Sequence, residues 1–68
     1  MLKNNIALLR AQHGLSQQQL ADDIQVSRKT ISTVETGRFT PSVVIALRLA
    51  ERFNVSVEEI FNLDGQSL

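Results

Sequence analysis

The sequence lacks most of the residues that staple a small protein together. Its 68 residues include no cysteine, no tryptophan, no tyrosine and a single histidine, His13. Without cysteine there is no disulfide and no thiolate metal site, and one histidine cannot build a histidine-based metal site. No apolar run approaches the ~20 residues of a membrane span, and the N-terminal residues lack a signal-peptide pattern. We therefore expect a cytoplasmic protein with no metal, no cofactor and no membrane contact.

The length allows one domain, residues 1–68. A chain this short buries only ~60% of the surface that its unfolded form exposes, so its core is marginal. Because disulfides and metals are excluded, we expect good helix packing and a second copy of the chain to supply the missing stability.

Charge is balanced overall but unevenly distributed. Seven basic and seven acidic residues cancel, so no general attraction to nucleic acid is indicated. However, residues 28–38 carry three cations against one carboxylate, whereas residues 51–64 carry four carboxylates against one arginine. The chain is therefore expected to be basic in its middle and acidic near its end.

Helix is the only pattern sustained along the chain, and it comes in short pieces. Glycines 14 and 37 are placed to end helices, and each of four segments opens with a serine or threonine cap. The predicted caps are Ser16 with Gln19, Ser27, Thr40 followed by Pro41, and Ser56 with Glu59. These signals predict an all-α fold of five helices, with residues 64–68 as a frayed tail.

The second and third predicted helices are separated by a short break, as in a helix-turn-helix. This motif covers residues 16–36, and Ala21 is the small residue that a steep helix crossing requires. The stretches "LSQQQLADDIQVSRKTISTVETGRFTPS" and "ALRLAERFNVSVEEIF" resemble the Cro/CI (Xre) family of transcriptional regulators. The resemblance covers roughly residues 4–63 and implies a compact five-helix, lambda-repressor-like DNA-binding domain. It further implies a possible pairing of "MLK" with "FNL" as short strands.

One position departs from the family pattern. Gln25 stands in the turn where the family usually has glycine. If the turn requires a left-handed backbone there, the glutamine side chain costs ~1–2 kcal/mol.

In a helix-turn-helix protein the second helix of the motif lies in the DNA major groove, and its first residues contact base edges. In this chain that helix is the third predicted one. Ile31 and Val34 face inward, so the cations at its start face outward. The resemblance implies base contacts from Arg28, Lys29 and Thr33. Arginine and lysine can donate to guanine O6 and N7. Because cations at the start of a helix are unfavourable, DNA binding would explain why two of them are placed there.

Other side chains near the motif are expected to contact phosphates. Such contacts fix the register of the protein on DNA without selecting its sequence. The candidates are Gln17, which the resemblance implies, together with Gln18, Thr30 and Arg38.

Arg10 and Glu35 both lean toward the core in the helical pattern, where neither charge would be buried alone. The family pairs an arginine with a glutamate at these positions, so we expect a salt bridge from helix one to helix three. The remaining carboxylates occur as sequence neighbours, which do not share a helix face. Since no nucleophile and base are paired either, we expect no enzymatic activity.

The leftover apolar residues near the end predict the surface of a homodimer: Phe61 and Leu63, with Val57 and Ile60. The expected function is that of a transcriptional regulator, a repressor in the first instance, on a pseudo-palindromic operator. Two alternatives remain open. The chain could be the DNA-binding antitoxin of a toxin partner or a restriction–modification controller, or it could be a protein-interaction module.

Overall fold

Seven short elements follow one another along the described part of the chain, residues 2–63 of the computed structural model. They are β1 (Leu2–Asn4), α1 (Ile6–His13), α2 (Gln17–Ile24), α3 (Arg28–Glu35), α4 (Val43–Phe53), α5 (Val57–Ile60) and β2 (Phe61–Leu63). The predicted five helices and the pairing of the chain ends are confirmed. The frayed tail expected at residues 64–68 lies outside the described residues. None of the helices within residues 2–63 has the length and apolar character needed to cross a bilayer.

Serine caps begin four of the helices. Ser16, Ser27 and Ser56 have extended backbones, and each side-chain oxygen accepts the N–H three residues on. The cap predicted at Thr40 is wrong, because α4 begins later. Ser42 caps that helix by accepting the Ile45 N–H at 3.2 Å, so Pro41 precedes the helix rather than opening it.

The core forms where α2, α3 and α4 meet the two chain ends. Ala21 is fully buried where α2 packs on α3, as a steep crossing requires. The buried apolar residues are Ile6, Leu20, Ala21, Ile24, Ile31, Val34, Leu49, Ala50, Phe53, Ile60 and Phe61.

Two of the residues expected at a dimer interface belong to this core. Ile60 is 0% exposed and Phe61 8% exposed within a single chain, so neither offers apolar surface to a second copy. The prediction is therefore wrong for these two, because closing so small a core requires the apolar side chains of the last helix and strand. Val57 is half-buried, whereas Leu63 remains 59% exposed.

The chain ends meet in an antiparallel ladder that pairs Leu2 with Leu63 and Asn4 with Phe61. The Asn5 N–H then donates to the Ile60 carbonyl at 2.8 Å, which extends the junction to α5. Residues about 60 positions apart are thereby held side by side, next to the end of α3.

The structure brings Arg10 and Glu35 together, from α1 and the last turn of α3. The Arg10 Nε lies 2.5 Å from Glu35 Oε2, and Nη2 lies 3.2 Å from Oε1. Nη1 donates to the Leu15 carbonyl at 2.9 Å, so the guanidinium also holds the loop before α2. The pKa of Arg10 is raised above its ordinary value, chiefly by the hydrogen bond to Glu35, while partial burial opposes this.

The turn between α2 and α3 contains the backbone conformation that glycine favours. Gln25 has φ 63° and ψ 45°, a left-handed conformation in which the side chain crowds the backbone. The Val26 N–H donates to the Ala21 carbonyl at 2.9 Å and closes the helix end. The turn therefore adopts the left-handed conformation at Gln25 although no glycine is present there.

Replacing Gln25 by glycine should therefore stabilise the domain. We expect Gln25→Gly to raise the free energy of unfolding by about 1 kcal/mol, since the side-chain clash outweighs the added freedom of the unfolded chain. Urea denaturation followed by circular dichroism measures the change. Gln12→Gly, at an exposed position inside α1, is the matched control and should lower the value by ~1 kcal/mol. A loss of stability in Gln25→Gly would contradict the strain.

Removing Arg10 should destabilise the domain, because Glu35 would be left with its carboxylate largely buried and unpaired. The two side chains are only 20% and 9% exposed. We expect Arg10→Met to lower the free energy of unfolding by about 3 kcal/mol, the low end for a broken buried pair.

The control is the Arg52–Asp23 bridge, in which an arginine Nε also meets a carboxylate, at 2.7 Å. Its side chains are 33% and 40% exposed, so Arg52→Met should cost less than about 1 kcal/mol. Equal losses in the two variants, measured by urea denaturation, would argue against a special role for the Arg10–Glu35 pair.

Candidate nucleic-acid interface

The surface formed by α3 follows from the way its apolar residues are buried. Ile31 and Val34 pack against α2 and leave the start of the helix at the protein surface. Ser27 caps this end and accepts the Thr30 N–H at 3.1 Å. The helix is thus fixed along one side and open along the other.

Arg28 and Lys29 occupy the open end of α3, and both side chains are exposed. Within residues 2–63 neither makes a hydrogen bond or an ion pair. Both cations lie at the positive end of the helix dipole, where they destabilise the helix by ~0.3–1 kcal/mol each. The free protein therefore holds two cations that nothing in the described chain neutralises.

Two threonines of α3, Thr30 and Thr33, lie in its first and second turns. The Thr33 hydroxyl donates back to the Lys29 and Thr30 carbonyls at 3.0 and 3.1 Å, so its single hydrogen is already in use. A phosphate oxygen only accepts hydrogen bonds, so Thr33 has no free hydrogen to donate to one. The part of Thr33 that remains available for contact with DNA is its methyl group. The Thr30 hydroxyl lies 2.9 Å from the Ser27 hydroxyl, and one of these two groups keeps a free hydrogen.

The glutamines that open α2 are engaged within the protein. Gln17 is half-buried and donates from Nε2 to Glu35 Oε1 at 3.2 Å, so it joins the Arg10–Glu35 pair. Gln18 is exposed and donates from Nε2 to Asp22 Oδ1 at 2.8 Å, one turn along the same helix. Each amide nitrogen retains a second N–H for an outside acceptor.

Arg38 lies in the loop that follows α3. Its backbone N–H donates to the Thr33 carbonyl at 3.1 Å, which ties this loop to α3. Its side chain is exposed and has no partner in the part of the chain that the structure describes. The next residue, Phe39, is 51% exposed.

Several polar contacts that hold this surface were missed by sequence reasoning. Arg52 bridges to Asp23, and Arg48 Nη1 donates to the Ile24 carbonyl at 3.2 Å, so α4 holds the end of α2. Asn4 reaches from β1 to the end of α3. These contacts join residues more than 20 positions apart, and no regular spacing indicates them.

Known proteins share this arrangement. A helix-turn-helix family model (HTH_3) matches residues 6–60. The uncharacterized HTH-type transcriptional regulator YgzD of Bacillus subtilis is 33% identical over 97% of this chain and 100% of its own length. A second HTH-type regulator, from Methanocaldococcus jannaschii, is 42% identical over 88% of this chain and 91% of its own.

Among solved structures, the restriction–modification controller C.AhdI of Aeromonas hydrophila superposes with a TM-score of 0.74 at 33% identity, covering 79% of this chain and 82% of its own. The family match spans most of the chain, and the relatives align nearly end to end. The chain therefore belongs to the Cro/CI-type helix-turn-helix family of transcriptional regulators.

Proposed function

We propose that the protein is a sequence-specific DNA-binding repressor that inserts α3 into the major groove of an operator, as a homodimer in the cytoplasm. It acts by binding alone and catalyses no reaction. The observation that carries this proposal is the pair of exposed, unpartnered cations at the open end of α3. Repression follows from occupancy, since a protein seated on an operator obstructs other proteins there.

Three side chains would contact the bases. Arg28 can donate two hydrogen bonds to guanine O6 and N7, and Lys29 can donate to the same kind of edge. Thr33, whose hydroxyl is engaged with the backbone, can present its methyl group to a thymine methyl. The DNA also neutralises the two cations, which removes the electrostatic cost of their position in the free protein.

Phosphate contacts would come from residues on both sides of α3. Arg38 has a free guanidinium, and Gln17 and Gln18 have a spare amide N–H each. Thr30 or its cap Ser27 can donate a hydroxyl hydrogen. These contacts add affinity that falls steeply with salt but little sequence preference.

A homodimer would place two α3 helices in successive major grooves, ~34 Å apart along the duplex. Leu63 and Val57 remain the proposed contacts, since Ile60 and Phe61 are in the core. A competing apolar surface lies on α4, where Val43, Val44 and Leu47 are 74%, 56% and 56% exposed.

The similarity to C.AhdI favours a second, narrower candidate, control of restriction–modification genes. Both candidates use the same DNA-binding surface. Adjacent endonuclease and methyltransferase genes would identify this role, and their absence would exclude it.

Removing the two cations should abolish sequence preference. The probe is a duplex selected by the protein from a random library, with a scrambled duplex of equal length beside it, in fluorescence anisotropy. We expect Arg28→Ala/Lys29→Ala to weaken binding to the selected duplex by about 100-fold, because each lost guanine contact is worth ~1–3 kcal/mol. Binding to the scrambled duplex should change far less.

Arg48→Gln/Arg52→Gln is the charge-matched control, measured at a temperature where the variants are folded, because it removes two cations from α4 whose side chains donate to α2 and not to α3. It should preserve the preference for the selected duplex. Arg38→Ala should weaken binding to both duplexes and reduce the salt slope by ~1. If the two double variants lose affinity equally, net charge rather than α3 determines binding, and recovery of no preferred duplex would reject the proposal.

Substitution of Leu63 should dissociate the dimer. A lysine there introduces a charge into the proposed apolar contact, so we expect the dimer dissociation constant to rise by about tenfold or more. Sedimentation equilibrium of the wild type, Leu63→Lys and Leu47→Lys measures this effect. If Leu47→Lys dissociates and Leu63→Lys remains a dimer, the interface lies on α4. A wild type that binds its operator as a monomer would exclude the dimer.

A further inference from the structure

The side chain of Asn4 leaves the terminal strand pair and reaches the end of α3. Its Nδ2 lies 3.0 Å from the Val34 carbonyl and 3.3 Å from the Glu35 carbonyl, and its Oδ1 accepts the Ile6 N–H at 3.1 Å. One half-buried side chain therefore serves the last turn of α3 and the first turn of α1 together.

The end of α3 needs such a partner. The last carbonyls of a helix receive no hydrogen bond from within the helix. In α3 no basic residue of the last turn is present to donate to them. The Gly37 N–H donates to the Val34 carbonyl at 3.1 Å. For the Glu35 carbonyl, the hydrogen-bond donor among residues 2–63 is Asn4.

Asn4 is itself held in place from the other chain end. Its backbone pairs with Phe61 in the β1–β2 ladder. The following residue, Asn5, donates its backbone N–H to the Ile60 carbonyl at 2.8 Å and its side-chain N–H to the Glu59 carbonyl at 3.0 Å. The amide that contacts α3 is therefore fixed to α5 and β2, outside the helix-turn-helix.

We propose that Asn4 is a positioning residue for DNA recognition, which sets the angle at which α3 presents Arg28 and Lys29. The inference rests on the proposed function, because it concerns the same surface. Seven residues of helix separate Arg28 from Glu35, a distance of ~10 Å. A tilt of roughly 6° at the Asn4 end moves Arg28 by about 1 Å, enough to spoil a two-point contact with guanine.

The test compares two asparagines that are neighbours in sequence. Asn4→Ala removes the contacts to α3, whereas Asn5→Ala removes one exposed hydrogen bond to α5 and touches no part of α3. Affinities for the selected and the scrambled duplex are measured at a temperature where every variant is folded. A mere loss of stability weakens both affinities by the same factor, so the ratio of the two isolates the positioning effect.

We expect the ratio to fall about fivefold or more in Asn4→Ala, the equivalent of one lost hydrogen bond, and to stay within about twofold in Asn5→Ala. Amide hydrogen exchange without DNA gives a second measurement. In Asn4→Ala, exchange at Thr36, Gly37 and Arg38, whose N–H groups close the end of α3, should accelerate relative to α4.

The outcomes separate this inference from the proposed function. A wild type that prefers its selected duplex, with the same ratio in Asn4→Ala, would overturn the role of Asn4 and leave the proposed function intact. Faster exchange with an unchanged ratio would make Asn4 a structural cap and overturn its positioning role as well. A wild type without any preferred duplex would overturn the proposed function, and the inference with it.

Discussion

The fold depends on one carboxylate, that of Glu35, at the end of α3. It accepts hydrogen bonds from Arg10 on α1 and from Gln17 on α2, and Arg10 also holds the loop between those helices through the Leu15 carbonyl. Ile31 and Val34 hold α3 in the core through the shape of their packing, and the hydrogen bonds to Glu35 add a constraint on its direction. Charged hydrogen bonds have defined geometry, and here they converge on the helix that carries the candidate DNA contacts. In a chain without cysteine, this group provides a directional constraint on α3 that disulfides cannot supply.

The remainder of the recognition surface is arranged around that constraint. Both ends of α3 are capped, one by Ser27 within the motif and the other by Asn4 from the distant strand β1. Arg28 and Lys29 project from the first of these ends with no internal partner. Polar side chains thus fix the helix, whereas Arg28, Lys29 and the nearby Arg38 have no side-chain partner among residues 2–63. Residues that stabilise the scaffold and residues proposed to contact DNA alternate along a single eight-residue helix and so occupy different faces of it.

Much of this organisation could be predicted from local sequence. Serine caps and terminal glycines act within one helical turn, so the caps at Ser16 and Ser27 were predictable. The α4 cap was misplaced because Thr40–Pro41 and Ser42 are both good starts, and the competition between them is decided by tertiary packing. Burial of Ile60 and Phe61 depends on how much core the other helices leave unfilled, which no periodicity gives. The contacts of Asn4 and Arg52 join distant positions and leave no local pattern.

The pairing of β1 with β2 makes the support for the end of α3 depend on two segments that are far apart in sequence. Helices as short as α1 to α4 are marginal in isolation, so they depend on packing against one another. The strand that carries Asn4 is separated from its partner, Phe61–Leu63, by almost the whole of the described chain. A nascent or truncated chain lacking residues 61–63 would therefore contain the whole helix-turn-helix sequence and still lack the support for the end of α3.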